Sequence, residues 1–327
     1  MPDVASMRWR AALPRIGILE TSDLPAASLA ALLVSAGERV AALDAYRELL
    51  LASPDDVDAL GALGSLLGRL GRDEEGLAIR KRIAVIAVAR MGLALEDRSA
   101  ALAFELAIAG IGPVPAEMPA GYTAALFDAY APRFDDCLRN DLRYRAPELL
   151  VAALRRALAA MDEAGPGALA ICDVGCGTGL LGPLLRPLAR RLDGVDYSPR
   201  MLEKARALDL YDDLAEADLT ATLASRPGAY DVVTAADVLV YIGDLGPALG
   251  AAATALRSGG LAAFTVERAN EAGYHLTTTG RYEHAPAFVR GAALAAGLTE
   301  VSADEVVLRV EQSRPVAGLV WVLRKEC

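Results

Sequence analysis

Basic charge, aromatic side chains, histidine and long apolar runs are all scarce in this chain, and each shortage removes a class of function. Lys and Arg number 33 against 43 Asp and Glu, for a formal charge of −10. Phosphate binding needs a basic surface, and no dense local run of Lys and Arg supplies one, so nucleic acid is not an expected partner. The triplet Arg186, Arg190 and Arg191 reads as a solvated helix end beside a strand. The four cysteines, Cys137, Cys172, Cys176 and Cys327, show neither a disulfide pattern nor paired C-x-x-C spacing. No metal site is expected from them, and a reduced, cytoplasmic protein is. Residues 1–10 lack the basic start and apolar stretch of a signal peptide. Arg90 soon interrupts the apolar run 83–88, so no membrane span is expected. Aromatics make up 5% of the chain although hydrophobic residues reach 54%. The difference is largely alanine, which favours closely packed helices. A length of 327 residues suits one large α/β domain with a smaller companion.

What the chain does have is glycine in the right place. Ile171-Cys172-Asp173-Val174-Gly175-Cys176-Gly177-Thr178-Gly179 reads as an apolar strand running into three alternating glycines, with a helix after them. Without Cβ atoms, Gly175, Gly177 and Gly179 permit a tight turn and close backbone approach to a ligand. Asp196, 19 positions after Gly177, ends the next strand and offers two acceptor oxygens to a ribose diol. Taken alone, Gly177-Thr178-Gly179-Leu180-Leu181-Gly182 fits the dinucleotide fingerprint equally well, which leaves a nicotinamide-dependent oxidoreductase open. The surrounding residues favour another cofactor. Asp173, two positions before Gly175, repels a pyrophosphate but suits a ligand bearing an ammonium and a sulfonium. Ala217-Asp218-Leu219 follows a weak third strand and suits an adenine, with Asp218 taking the exocyclic amine and Leu219 against the ring. Residues 230–237 read as a fourth strand ending in Asp237, and 256–260 turn into a fifth strand over 261–266.

These segments, ICDVGCGTG, LDGVDYSPRML, EADL, YDVVTAADVLVYI and LRSGGLAAFTVE, resemble in order and near-spacing the class I S-adenosylmethionine-dependent methyltransferases. The resemblance covers about half the chain. It implies an enzyme that uses S-adenosyl-L-methionine, and an α/β, Rossmann-like seven-stranded sheet of order 3-2-1-4-5-7-6. It also implies a cofactor set of Asp173, Gly175, Gly177, Gly179, Asp196, Tyr197, Asp218, Leu219 and Asp237. Strand character over 300–309 and 316–323 fits the antiparallel ending of that sheet. Segments 127–130, 144–147 and 280–284 are similar to a bacterial subgroup that carries tetratricopeptide-like helices ahead of the catalytic domain.

The front half reads as helices. Gly37-Glu38-Arg39-Val40-Ala41-Ala42-Leu43 is echoed 34 residues later by Gly71-Arg72-Asp73-Glu74-Glu75-Gly76-Leu77, the length of a tetratricopeptide repeat. Pro54 closes one helix, Asp55 or Asp56 caps the next, and Leu60, Leu63, Leu66, Leu67 and Leu70 form an apolar stripe. Such helices either dock a protein partner or complete a core and pair two subunits in a homodimer. Proline and glycine at 112–115 and 119–121 mark a joint. The expected organisation is a helical tetratricopeptide-like domain over 1–120, a helical lid or linker over 121–165, and the methyltransferase domain over 166–327.

In that lid, Tyr130 and Phe134 are expected over the methionine part of the cofactor, with Tyr144 and Arg145 reaching its carboxylate. The acceptor side is expected after the fourth and fifth strands, where Tyr241 and Glu267 are either acceptor-facing or structural. Asp237 is followed by Val238-Leu239-Val240-Tyr241 and not by the Pro-Pro-aromatic run of a different subset of the family, which argues against adenine or glutamine as acceptor. The two histidines, His275 and His284, fall in one polar insert with Arg281 and Tyr282. Arg281 is a candidate for holding a carboxylate, and His284 for a general base. Tyr282 and His275 complete the candidate catalytic group. The expected function is O-methylation of a small acid or a peptide. A non-catalytic, cofactor-binding scaffold is the alternative beside the oxidoreductase.

Overall fold

The computed structural model describes residues 9–16, 25–138, 142–160, 167–311 and 314–326. The chain forms two compact units, residues 1–92 with 109–112 and residues 93–108 with 113–327.

The first unit is helical: a 3-10 segment Arg10–Ile16, then α1 (Ala26–Ser35), α2 (Arg39–Ala52), α3 (Val57–Arg69) and α4 (Asp73–Arg90). The 34-residue echo has a backbone cause. After α1, Gly37 takes φ +83°, and the N–H groups of Gly37 and Glu38 donate to Val34 and Leu33 carbonyls. After α3, Gly71 takes φ +68°, and Gly71 and Arg72 donate to Gly68 and Leu67. Both turns are the same left-handed glycine cap, so α2 and α4 start in equivalent registers. Asp56 caps α3, accepting from Ala59 N at 3.0 Å. Leu60, Leu63, Leu66 and Leu67 are buried, and Leu63, Leu66 and Leu67 join Trp9, Leu29, Leu33 and Tyr46 in this unit's core.

The second unit begins with α5 (Arg98–Ile108), so this helix falls on the far side of the division from α1–α4. Then come α6 (Ala120–Tyr130), a 3-10 turn Ala131–Arg133, α7 (Phe134–Asp136) and α8 (Ala146–Ala160). Alternation follows: β1 (Leu169–Val174), α9 (Gly182–Leu185), β2 (Ala189–Asp196), α10 (Pro199–Ala207), β3 (Asp213–Glu216), α11 (Leu219–Ala224), β4 (Tyr230–Ala235) and α12 (Gly246–Ala255). The unit closes with β5 (Leu256–Arg268), β6 (Tyr274–Leu276), β7 (Tyr282–His284), α13 (Pro286–Ala295), β8 (Leu298–Glu311) and β9 (Arg314–Lys325).

Strands β3, β2, β1, β4 and β5 pair in parallel, in that order. β9 then pairs antiparallel with β5, and β8 with β9. Where seven strands were expected, the sheet has nine among the described residues, because the β6–β7 hairpin adds to the far end of β5, where Glu267 pairs Glu283. The expected turn at 256–260 is instead part of β5. Its register against β4 jumps from Leu256 to Leu261, and Gly259 at φ +78° absorbs the extra residues as a bulge.

Both faces of the sheet are covered, which is why β1 and β4 are buried at every residue. Leu169 and Ile171 face α8 residues such as Leu150 and Leu154, while Ala170, Cys172 and Val174 face the side packed by Leu223 of α11 and Leu249 of α12. Among the described residues, no helix is long and apolar enough to cross a membrane.

Candidate active site

A cleft opens at the carboxyl ends of β1, β2 and β4, where the order of a doubly wound sheet reverses. Its floor is the glycine turn after β1. Gly175 sits at φ +62°, and a Cβ there would lie 2.3 Å from a Val238 methyl. Gly177, at φ +54°, lies under the Phe134 ring. Gly179 does not line the cleft. It takes φ +87° where the chain packs on Leu208 and Tyr211, so its role is to shape the turn.

Asp196 ends β2 and secures this turn. One carboxylate oxygen accepts from Gly177 N at 2.8 Å and the other from Ser198 N at 2.8 Å. Each oxygen keeps a second lone pair, so the carboxylate can still accept two hydroxyls side by side. Burial pushes its pKa up, against the pull of those backbone N–H groups. Asp218 caps α11 through Ala221 N at 2.6 Å and also accepts from the Tyr197 hydroxyl. It therefore lines the cleft as a fixed acceptor beside Leu219.

Asp173 is the most deeply placed acid. It is 1% exposed, and its oxygens accept from Tyr211 Oη at 2.8 Å and Thr234 Oγ1 at 3.0 Å. Desolvation raises its pKa to about 7, more than the two hydroxyl donors lower it. It is thus poised to ionise against an incoming cation.

The segment before β1 lies along the cleft and is pinned to it by two carboxylates. Asp135 of α7 accepts from Thr178 Oγ1 at 2.6 Å, and Asp128 of α6 accepts from Ser198 Oγ and Arg200 N. Phe127 meets Phe134 and Tyr241 edge-on, with ring centroids 6.1 and 5.3 Å away. Phe134 and Tyr144 line the cleft. Two companions do not. Tyr130 is 39% exposed, with the Arg133 guanidinium over its ring, and Arg145 is held through its backbone N–H to the Leu308 carbonyl. The α6 end turns Tyr130 outward, and Arg145 is exposed just before α8, so both are corrections to the sequence reading.

The acceptor candidates divide in the same way. Arg281 and Tyr241 line the cleft. Arg281, however, already pairs with Glu311 and lies 3.9 Å from Glu267, so it is not a free carboxylate clamp. His284 is wholly buried, with Nε2 at 2.9 Å from the Ile242 carbonyl and 3.2 Å from that of Gly243. Nε2 must be the protonated nitrogen, and desolvation lowers the pKa to about 4. His284 stacks on Phe288 and is a structural post, not a base in the cleft. Tyr282 is buried and donates to the Pro115 carbonyl at 2.8 Å. His275 lies on the hairpin, 3.0 Å from the Ala272 carbonyl. None of the last three lines the cleft: the Tyr282 and His284 rings pack on Tyr274, His284 also on Phe288, and His275 stays on the hairpin.

Sequence reasoning missed Tyr211 and Thr234 beneath Asp173, the pins Asp128 and Asp135, and above all Arg309 of β8. Arg309 is 1% exposed, with Nη1 3.2 Å from Asp237, Nε 2.7 Å from Glu311, and a further bond to Glu267. A charged residue amid the apolar neighbours Leu308 and Val310 was the available signal. The partners lie 72, 42 and 2 residues away.

The carboxylic acids and basic side chains lining the cleft are Glu117, Asp173, Asp196, Asp218, Asp237 and Arg281. Five carboxylates against one guanidinium make a hollow hostile to pyrophosphate and hospitable to a cationic nucleoside. The residues fit S-adenosylmethionine, which combines a ribose diol, an adenine and net positive charge.

Comparison with known proteins agrees. Residues 172–262 match a family model described as "Methyltransferase domain". The chain is 42% identical over 109 residues to human methyltransferase-like protein 27, spanning 33% of this chain and 42% of that protein. It is 30% identical over 115 residues to the ubiquinone biosynthesis O-methyltransferase of Thiobacillus denitrificans, spanning 34% of this chain and 49% of that one. These matches thus span under half the length of each relative. The N-methyltransferase NodS from Bradyrhizobium japonicum, solved with S-adenosylhomocysteine, aligns with a TM-score of 0.48 at 22% identity, over 62% of this chain and 98% of that one. The similarity to a methyltransferase domain thus runs over residues 172–262, from β1 into β5, on an α/β sheet of the methyltransferase kind.

Proposed function

We propose that the whole chain is an S-adenosylmethionine-dependent methyltransferase of class I, acting on an oxygen of a small-molecule or peptide acceptor. The observation that carries this reading is Asp196. It is held by Gly177 N and Ser198 N with one acceptor position left on each oxygen, inside a cleft dominated by carboxylates. In this reading Asp196 holds the ribose hydroxyls, Asp218 and Leu219 receive the adenine, and Asp173 faces the positive charge. The antiparallel β8–β9 pair next to β5 corresponds to strands 6 and 7 of the family's order.

The cofactor supplies a methyl group on a sulfur that leaves readily. The chain's own task is to place donor and acceptor in line and to keep water out. Well-oriented reactants gain about 7–11 kcal/mol by placement alone. Phe127, Phe134, Tyr144 and Tyr241 form the apolar walls for that purpose. The oxygen preference draws support from the similarity to ubiquinone biosynthesis O-methyltransferases. It no longer rests on Arg281, whose guanidinium pairs with Glu311, or on His284, which does not line the cleft and whose Nε2 is held by the Ile242 carbonyl. The acceptor is accordingly one that needs no histidine base.

Helices α1–α4 are proposed as tetratricopeptide-like repeats that dock a protein partner. Calorimetry with S-adenosylhomocysteine, NAD and NADP tests the central reading. Binding of the first alone is expected, and binding of a nicotinamide cofactor overturns it. Transfer of labelled methyl to an extract, followed by mild base, tests the acceptor. Base-stable label excludes a methyl ester, and label recovered on nitrogen refutes the oxygen reading.

A further inference from the structure

The residues suited to an adenosine, Asp196, Asp218 and Leu219, lie after β2 and β3, which leaves the β4 side of the cleft without an occupant. That side is walled by rings. Phe127, Phe134, Tyr144 and Tyr241 all line it, in a chain that is 5% aromatic. Phe127 stands between Phe134 and Tyr241, at interplanar angles of 78° and 82°. The Tyr241 backbone is fixed at both ends: its N–H donates to the Val238 carbonyl at 3.0 Å, and its carbonyl accepts from Met118 N at 2.8 Å. Burial raises the pKa of the Tyr144 hydroxyl, and Asp237, Tyr241 and Asp173 add to the rise while Arg309 opposes it. The ring-lined end therefore borders Asp173, the acid assigned above to the positive charge.

One polar group among these rings is unspent. Tyr241 is in hydrogen-bond contact with Arg281, and a guanidinium can only donate. The Tyr241 oxygen is thus the acceptor there, and its own proton is left for another partner. Desolvation raises the pKa of Tyr241 more than Arg281 lowers it, so the hydroxyl keeps that proton near neutral pH. It is a donor and not a base. Neither of the chain's two histidines lines the cleft, and a carboxylate is too weak a base to take the proton of an alcohol. The acceptor hydroxyl must therefore be acidic in its own right. A carboxylic acid meets that need but arrives as an anion. It would face five carboxylates, and Arg281, the one basic side chain lining the cleft among the described residues, is already paired with Glu311. A phenol, with a pKa of about 10, arrives neutral and packs between rings.

We propose that the methyl acceptor is a small phenol seated among Phe127, Tyr144 and Tyr241, and that the Tyr241 hydroxyl, backed by Arg281, donates to its oxygen and stabilises the phenolate. This rests on the methyltransferase reading given above. The phenol's proton leaves to solvent as the phenolate forms beside the positive sulfur. An oxygen–carbon bond then forms from the phenolate's electron pair as the sulfur–carbon bond breaks and its pair returns to sulfur. The products are an aryl methyl ether and a neutral thioether.

The test uses 4-nitrophenol, which is strongly coloured only as the phenolate, and the full chain after calorimetry has shown that it binds S-adenosylmethionine. The saturated protein and the probe are mixed at pH 6, where free probe is mainly the colourless phenol, and the visible band is read before turnover. The ratio of phenolate to phenol is expected to be about tenfold higher in bound than in free probe, the scale of hydrogen bonding to a charged oxygen. Tyr241→Phe keeps the ring and removes the donor, and is expected to abolish most of that gain. In the unaltered protein, 4-nitrobenzoate and 4-nitrobenzylamine carry the same ring and are expected to bind more weakly than 4-nitrophenol. That comparison carries the test if Tyr241→Phe fails to fold by circular dichroism. A bound probe that stays colourless, a band unchanged in the variant, no binding of the probe, or tighter binding of the acid or the amine overturns the proposal. Each of these leaves the methyltransferase reading standing, whereas failure of S-adenosylmethionine to bind overturns both.

Discussion

Asp173 and Asp196 are both carboxylates in one cleft, and their surroundings give them different work. Asp196 is gripped by two backbone N–H groups, and its carboxylate sits where hydroxyls can reach it. Replacing it with alanine is expected to weaken S-adenosylhomocysteine binding by about 1.5–3 kcal/mol, the value of hydrogen bonds to a charged acceptor. Unchanged affinity by calorimetry would place the ribose elsewhere. Asp173 has only neutral hydroxyl partners, and its pKa rises to about 7. A cationic ligand favours the ionised form, so binding releases a proton wherever the free protein holds one. Affinity should therefore rise with pH up to about 7 and level off above it, and Asp173→Asn should flatten the profile. The stability of the free protein runs the other way. The raised pKa favours the protonated carboxyl in the fold, a contribution complete below about pH 4 and lost as pH rises through about 7. Urea titrations at pH 5 and pH 8 compare the two.

At the scale of elements, the turn after β1 is the least forgiving piece. Gly175 needs φ +62° and has a Val238 methyl 2.3 Å from the place of a Cβ. Gly175→Ala is expected to cost about 1–3 kcal/mol from the backbone alone, plus the clash with the residue that follows Asp237. A lowered melting temperature together with lost cofactor binding would bear this out. A stable variant with intact affinity would mean that the turn tolerates a side chain. The same scale explains how far the elements were legible. The strands β1 and β4 were plain because burial on both faces makes them largely apolar, with Asp173, Asp231 and Thr234 as the polar exceptions. The bulge in β5 was not, since Leu256-Arg257-Ser258-Gly259-Gly260 has the composition of a turn, and only the β4 pairings of Leu256 before it and Leu261 after it keep it in the sheet. The β6–β7 hairpin was read as a polar insert. Its three-residue strands carry almost no periodic signal.

At the scale of the molecule, all the residues lining the cleft belong to the second unit, from Glu117 to Arg281. A fragment starting at Leu93 is therefore expected to bind S-adenosylhomocysteine with the affinity of the full chain, measured by calorimetry on both. A fragment that folds yet fails to bind would mean that α1–α4 contribute to the cleft. What the sequence by itself determined was local and periodic: the glycine turn, the acids at the ends of β2 and β4, the acid-apolar step before α11, and the 34-residue echo of a glycine-capped helix. Each is written within a few consecutive residues, where backbone conformation and short-range hydrogen bonds decide the outcome. Tertiary structure alone decided which side chains face the ligand. His284 and Tyr282 had the chemistry of catalysis but were turned into the core, and Arg309 was drawn from the penultimate strand to Asp237. The reason is that a side chain's direction and charge environment are fixed by partners dozens of residues away, and no local pattern encodes them.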